Sequence, residues 1–157
     1  MNTKGIFSHA SDNWRTPKDI YDCFIEHGFI DCFKYEANYD EFKNSYRGGR
    51  LFVNPPYSKL DQVVDWVIEQ ARNENHIFLL IPVRTDTKYF NKLINKLGFK
   101  INIIFITGRL KFNESKNSAP FPSMFIEISE KPREIKDRQT FYVCTKDEFI
   151  GLLEQYY

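Results

Sequence analysis

The chain has 157 residues, and its 22 Lys and Arg residues nearly balance 21 Asp and Glu residues, which gives a net charge of +1. This length predicts one domain, residues 1–157, with a single hydrophobic core, and the near-neutral charge neither supports nor excludes a nucleic-acid partner. The apolar runs are too short to cross a bilayer and the first residues lack a signal-peptide pattern, so a cytoplasmic protein without membrane contact is expected.

Residues 14–28 predict the first helix. Thr16 is suited to the N-cap, Pro17 to the first helical position, and Gly28 to the end of the helix. Trp14 would pack beside this helix. From the residues alone, the segment is either simply a well-capped helix or a helix start that also has a functional role.

A short strand that ends in a carboxylate is predicted at Phe29-Ile30-Asp31. Asp31 either binds a hydroxyl or amine of a cofactor or is an ordinary residue at a strand end. No glycine follows until Gly48, whereas a nucleoside site usually has a Gly-rich turn after its first strand.

The central unit of the sequence is a strand, a rigid turn and a helix. Leu51 to Val53 form the end of a buried strand, Pro55 and Pro56 disfavour a helix, and apolar residues recur at helical spacing from Leu60 onward. In an open α/β sheet, ligands bind at the carboxyl ends of the strands.

The turn Asn54-Pro55-Pro56-Tyr57 carries chemistry that suits a planar amine. The Asn54 side chain and the Pro55 carbonyl offer two acceptors, and neither proline has an N–H that competes for them. An exocyclic amino group has two hydrogens to donate to these acceptors. Tyr57 offers a flat face on which a base or an amide can stack. The alternative is a proline-stiffened turn without chemistry.

Ile77 to Ile81 predict a buried parallel strand, so the loop that follows lies at the same edge of the sheet as Asn54. In this loop, Arg84, Thr85 and Asp86 either contact a ligand or provide a helix cap and a surface ion pair. We favour ligand contact because of the position of the loop in the sheet.

The second half of the chain predicts an antiparallel hairpin and a last helix. A buried strand at 100–107, a half-exposed strand at 108–112 and a returning strand at 123–128 flank a polar loop. Thr145 to Glu148 form a capping box at the start of the last helix. The predicted fold class is α/β, with a mostly parallel sheet and an antiparallel C-terminal hairpin.

Five motifs together carry a resemblance to a known family. They are Ser11-Asp12-Asn13-Trp14-Arg15-Thr16-Pro17, Asn54-Pro55-Pro56-Tyr57-Ser58, Pro82-Val83-Arg84-Thr85-Asp86-Thr87, Gly108-Arg109-Leu110-Lys111-Phe112 and Ala119-Pro120-Phe121-Pro122-Ser123. In this order, they resemble the phage-type DNA N6-adenine methyltransferases, short enzymes of phages and prophages. The chain departs from the family pattern around Asp31, where Phe33 and Lys34 follow.

The resemblance implies a Rossmann-like methyltransferase fold, S-adenosylmethionine as the methyl donor and adenine in double-stranded DNA as the substrate. It also implies DNA binding and a place in phage or restriction–modification biology, in a bacterial or phage-infected cell. It places the segment from Trp14 to Pro17, with Thr16, against the cofactor, and Asn54 between cofactor and base. Asp31 joins the expected cofactor site. The expected catalytic residues are Asn54, Pro55, Pro56 and Tyr57.

Methyl transfer to a neutral amine requires alignment more than a strong base, so no metal is expected. His9, His27 and His76 are also scattered along the sequence and do not form a cluster that could bind one.

An adenine in a duplex must be flipped out, with Tyr57 and Phe121 as stacking walls. The expected substrate-binding residues are Arg84, Thr85, Asp86, Arg109, Lys111 and Phe121. The chain is expected to act as a monomer or a homodimer.

Two other functions are compatible with the same residues. One is methylation of an amino group in RNA or on a protein glutamine, since the Asn54 to Tyr57 geometry suits any planar amine. The other is a non-catalytic relative that binds DNA, cofactor or a host protein, which the missing Gly-rich turn and the near-neutral charge suggest.

Overall fold

The computed structural model describes residues 14–97, 101–130 and 141–157. Residues 11–13 of the first motif therefore lie outside the described residues. Six strands form one sheet in these parts of the chain, in the order β1-β2-β3-β5-β4-β6. The strands are β1 Ile30–Cys32, β2 Arg50–Val53, β3 His76–Pro82, β4 Ile101–Ile106, β5 Ser123–Ile128 and β6 Phe141–Cys144.

One strand of the sheet, β5, runs against the others. β1, β2 and β3 pair in parallel, as do β4 and β6, while β5 pairs antiparallel with both β3 and β4. The expected mostly parallel sheet and the antiparallel pairing of β4 with β5 are confirmed. The antiparallel strand is internal, however, because β5 lies between β3 and β4. β6 then follows it in the chain and joins the sheet beside β4.

Four helices cover the two faces of the sheet in the described residues. They are α1 Lys18–Glu26, α2 Leu60–Arg72, α3 Lys88–Leu97 and α4 Lys146–Tyr156. Side chains of α2 and α3 pack on one face, and side chains of α1 and α4 pack on the other. No described helix is long and apolar enough to span a membrane.

The strands divide their side chains between these two cores, as alternation along a strand requires. Leu51 and Val53 point toward α2, while Phe52 points toward α1. On the α1 side, Phe24 stacks on Phe52 at a centroid distance of 4.3 Å, and Phe149 of α4 stacks on Phe125 at 4.1 Å. Aromatic contacts therefore hold α1 and α4 on the sheet.

The prediction of a strand at residues 108–112 is wrong. Leu110 and Phe112 are buried and Lys111 between them is exposed, so the alternation is real, but it belongs to a loop. Phe112 opens a short 3-10 turn, and Asn113 takes a left-handed φ of 59°, which ends any extended geometry. The pattern arose because Leu110 and Phe112 anchor this loop in the aromatic core on the α1 side.

The strand directions bring several loops together. Because β1, β2, β3 and β4 run in parallel, the segments that follow them leave from one edge of the sheet, here called the site edge. The N–H of Val83, after β3, donates to the Pro122 carbonyl, before β5, at 2.9 Å. The loops after β3 and β4 are thereby joined at this edge.

The start of α4 is fixed by the predicted capping box. The Thr145 hydroxyl accepts from the Glu148 N–H at 3.2 Å, and the Glu148 carboxylate accepts from the Thr145 N–H at 2.9 Å. This pair satisfies two backbone donors that the helix itself leaves open. It thus sets where α4 begins and helps to place Phe149 on the sheet.

We expect Thr145→Ala to lower the free energy of unfolding by about 1 kcal/mol, because the first turn of α4 loses its cap. Urea denaturation at neutral pH measures this change. Glu154→Ala, an exposed change in the same helix, is the control and should stay within about 0.5 kcal/mol of wild type. Equal effects of the two changes would contradict a role for the cap.

Candidate functional site

The Asn54 side chain occupies the centre of the site edge, directly after β2, and is only 3% exposed. Its amide nitrogen donates to the Trp14 carbonyl at 2.6 Å and to the Thr16 hydroxyl at 2.9 Å. Because a carbonyl oxygen only accepts, the amide nitrogen must face the segment 14–17, here called the arm. The Asn54 oxygen therefore points away from the arm.

The prediction that Thr16 caps the first helix is wrong. Helix α1 begins at Lys18, Pro17 takes the N-cap position instead of the first helical position, and no side chain caps the helix. The hydroxyl of Thr16 accepts from Asn54 instead. Thr16 is thus a contact residue of the Asn54 amide.

The Tyr57 hydroxyl donates to the Asn54 side-chain oxygen at 3.0 Å. Tyr57 reaches this position because two prolines keep the chain extended before a 3-10 turn at Tyr57–Lys59. Burial holds the pKa of the Tyr57 phenol well above its usual range, and the neighbouring Tyr35 and Tyr89 act in the same direction. The phenol therefore keeps its proton and remains a donor to Asn54.

Aromatic rings surround this hydrogen-bonded pair. Trp14 contacts Phe121 and Phe112 edge to face, with centroids 5.1 and 5.7 Å apart, and Tyr57 contacts Phe121 in the same manner at 5.7 Å. We call Trp14, Tyr57, Phe112 and Phe121 the aromatic wall. The structure thus brings together Trp14, Thr16, Asn54, Tyr57 and Phe121 from three separate parts of the sequence.

A cleft of about 780 Å³ lies beside the arm, at the end of β1. Residues that line it include Arg15, Thr16, Asp31, Phe33 and Asn113. A second cleft of about 850 Å³ shares Arg15 and Phe33 with the first and extends to Pro56. We call the first the β1 cleft, and it places Asp31 near the residues that hold Asn54.

The carboxyl group of Asp31 is partly withdrawn from water in the β1 cleft. Burial raises its pKa from 3.8 to about 6; Glu41 and Glu36 act in the same direction, and Lys34 partly opposes them. A carboxylate in this position gains from a positively charged neighbour.

The turn after β1 adopts a backbone conformation that favours glycine, although it contains no glycine. Phe33 has a φ of 62°, in the left-handed region that favours glycine. Its N–H donates to the buried Glu41 carboxylate at 3.3 Å, and the Tyr46 and Tyr39 hydroxyls donate to the same group. These bonds hold the strained turn in place.

The remaining predicted residues lie at the rim of the site edge. Thr85 and Asp86 are exposed in the loop after β3, beside the partly buried Arg84. Arg109 donates to the Ala119 carbonyl at 3.5 Å and so contacts its own loop, while Lys111 is exposed. The structure places these residues around the Asn54 group rather than in it.

Sequence reasoning missed four residues of this region: Tyr35, Glu41, Tyr89 and Asn113. Tyr35 and Tyr89 lie close enough to Tyr57 to raise its pKa, and Asn113 contacts the arm. Glu41 and Tyr35 belong to the polar segment after β1, where no pattern marks a role. Asn113 gave a weak signal, since asparagine tolerates a left-handed φ better than most residues.

No group of three or more His, Cys, Asp or Glu side chains able to hold a metal occurs within the described ranges. The arrangement that is present consists of an oriented amide, a phenol, a carboxylate and aromatic rings. Groups of this kind can bind and orient a planar polar ligand.

Comparison with protein families matches residues 4–124 to the DNA N-6-adenine-methyltransferase (Dam) family. The chain belongs to this family. Membership confirms the predicted resemblance and implies methyl transfer to adenine in DNA. The matched region ends within β5, so β6 and α4 lie beyond it. A search of curated proteins found no match.

Replacing Asp31 with asparagine is expected to stabilise the ligand-free protein above about pH 6. An aspartate whose pKa is higher in the folded than in the unfolded protein destabilises the fold once it is ionised. The resulting loss of unfolding free energy is therefore absent below pH 3.8 and complete above about pH 6. The stability difference between Asp31→Asn and wild type should therefore grow between these values. Urea denaturation across this pH range measures it.

Asp65→Asn is the matched control, since Asp65 forms an exposed ion pair with Lys92 on the surface of α2 and α3. Its stability difference from wild type should show no comparable increase with pH. A constant difference for Asp31→Asn across the range would contradict the proposed desolvation of this carboxyl group.

Proposed function

We propose that this Dam-family chain transfers a methyl group from S-adenosylmethionine to the N6 amino group of an adenine that is flipped out of double-stranded DNA. The observation that carries the proposal is the fixed orientation of the Asn54 amide. Its nitrogen is committed to Trp14 and Thr16, so its oxygen faces the site as an acceptor. An acceptor at this point suits an amine.

Asn54 and Pro55 hold the amine in this proposal. The Asn54 side-chain oxygen and the Pro55 carbonyl each accept one hydrogen of the amino group. With both hydrogens held, the nitrogen lone pair turns toward the methyl donor. The new nitrogen–carbon bond would form as the methyl–sulfur bond breaks, S-adenosylhomocysteine would leave, and the methylated nitrogen would lose one proton to water. Alignment of this kind and stabilisation of developing positive charge are the main contributions of the protein to such a transfer.

Tyr57 occupies the place of the amine in the free protein. Its hydroxyl donates to the same Asn54 oxygen at 3.0 Å, and Asn54 is otherwise covered. The incoming amine takes over this bond, and the Tyr57 ring stacks on the base, with Phe121 as the second aromatic contact. Unstacking of the base from the duplex is repaid in part by these contacts.

The residues of the β1 cleft fit S-adenosylmethionine. When bound, this cofactor supplies an electrophilic methyl group on a positively charged sulfur, and it also carries an ammonium group. Asp31 holds a positive group in the cleft, and Thr16 lines it. Trp14 and Pro17 are proposed to contact the cofactor from the arm, on either side of Arg15 and Thr16. Because a bound cation lowers the Asp31 pKa from about 6, cofactor affinity should increase as the pH rises through this value.

The charge distribution supports DNA as the substrate more strongly than the net charge does. Segments 14–18, 54–59, 83–88 and 108–122 meet at the site edge and carry eight Lys and Arg residues but two Asp and Glu residues. The segment 33–43, which follows β1 at the same edge, carries two Lys and three Asp and Glu residues. The whole chain has a net charge of only +1, so positive charge is concentrated at this edge. Such a concentration suits a phosphate backbone. Arg84, Thr85, Asp86, Arg109 and Lys111 are proposed to contact DNA here.

The arrangement of the sheet also supports a Rossmann-like methyltransferase fold in one domain. β1, β2 and β3 are parallel, and the proposed ligands bind where their carboxyl ends meet. We place the chain in the cytoplasm of a bacterial or phage-infected cell, as a monomer or a homodimer. These assignments rest on the proposed function.

A radiolabelled-methyl assay tests this function with adenine-containing duplex DNA, RNA and a glutamine-containing protein as acceptors. We expect transfer to the duplex. Asn54→Ala should reduce the rate at least about 100-fold, since it removes a contact that strengthens in the transition state. Asn95→Ala, an exposed change on α3, is the control and should keep wild-type activity.

Each other outcome selects a different account. Transfer to RNA or glutamine alone would replace the DNA substrate, and a folded Asn54→Ala variant with full activity would overturn the role of Asn54. Absence of transfer, together with a raised melting temperature in S-adenosylhomocysteine, would indicate a non-catalytic relative that binds the cofactor. Circular dichroism establishes that each variant is folded.

A further inference from the structure

The loop after β4 contacts the arm through a reciprocal pair of hydrogen bonds. The Arg15 N–H donates to the Asn113 side-chain oxygen at 2.8 Å, and the Asn113 N–H donates to the Arg15 carbonyl at 3.0 Å. The two residues are 98 positions apart in the sequence. One asparagine therefore fixes both backbone polar groups of Arg15.

Arg15 lies between the two residues that hold Asn54. The Trp14 carbonyl and the Thr16 hydroxyl both accept from the Asn54 amide nitrogen. A shift of the Arg15 backbone moves both acceptors, because they belong to the adjacent residues. The bonds from Asn113 thus act on Asn54 through the arm, without direct contact.

The backbone at Asn113 is held in a conformation that side chains rarely adopt. Its φ is 59°, and the next residue, Glu114, follows with a φ of 53°. Two consecutive left-handed residues other than glycine are costly, and such strain persists where the surroundings enforce it. The pair of bonds to Arg15 is one contact that enforces this conformation.

We propose that Asn113 is a positioning residue that sets the orientation of the Asn54 amide through the arm. The inference rests on the proposed function only in so far as Asn54 binds the target amine. Asparagine meets both requirements of the position, since it tolerates the left-handed φ and supplies a side-chain acceptor. Aspartate also meets both, whereas glycine meets only the first.

The test compares Asn113→Gly, Asn113→Asp and the matched control Glu74→Gly in the full chain. Glu74 also has a left-handed φ, of 63°, but lies in the turn between α2 and β3, at the opposite edge of the sheet. Both glycine changes relieve backbone strain, so neither is expected to unfold the protein. Only Asn113→Gly removes the acceptor that holds the arm.

Two readouts are measured at a temperature where circular dichroism shows every variant folded. The first is the proton and nitrogen chemical shifts of the Asn54 side-chain amide, assigned by its loss in Asn54→Ala. The second is kcat for methyl transfer to duplex DNA. For Asn113→Gly we expect shifted amide resonances and a fall in kcat of at least about tenfold, since small misplacements of a reacting group are costly.

Asn113→Asp should restore the Asn54 resonances, while Glu74→Gly should match wild type in both readouts. Unchanged Asn54 resonances in Asn113→Gly would overturn the proposal, whatever the activity. If wild type transfers no methyl group, the proposed function fails. The resonances still decide the role of Asn113 in that case.

Discussion

The site depends on the two hydrogen bonds that the buried Asn54 amide donates to the arm. Once its nitrogen is committed to Trp14 and Thr16, its oxygen has one direction left, toward Tyr57. A buried amide of this kind is costly to leave unpaired, so the arm and the turn after β2 stabilise each other. The same bonds bring the aromatic wall beside an oriented side-chain amide whose oxygen can accept a hydrogen from an amine.

Much of the fold could be predicted because local patterns determine it. Apolar periodicity located the helices and the buried strands, and the capping box located the start of α4. The Asn54-Pro55-Pro56-Tyr57 turn was recognisable since prolines restrict the backbone directly. Local patterns gave wrong predictions where a residue distant in the sequence determines the contact. Thr16 precedes a proline and a helix, as a helix cap would, yet its hydroxyl accepts from the Asn54 amide instead. Likewise, the alternation at 108–112 reflects packing of Leu110 and Phe112 in a loop.

Two further features lay beyond any local pattern. The turn after β1 has no glycine, yet Phe33 adopts a left-handed φ because the buried Glu41 carboxylate accepts its N–H. The desolvation of Asp31 likewise depends on the three-dimensional surroundings of the β1 cleft, including Glu41 and Glu36. Net charge was also uninformative, since the site edge gathers positive charge that acidic residues elsewhere balance. Each of these properties arises from how the loops meet at one edge of the sheet.

The most direct test is a crystal structure of the chain with S-adenosylhomocysteine and an adenine-containing duplex. The account predicts an adenine turned out of the helix, with its N6 within hydrogen-bonding distance of the Asn54 oxygen and the Pro55 carbonyl. The Tyr57 hydroxyl should have left Asn54, and the ligand should lie against Asp31 in the β1 cleft. An adenine whose N6 lies away from Asn54, with the bond between Tyr57 and Asn54 intact, would contradict the account.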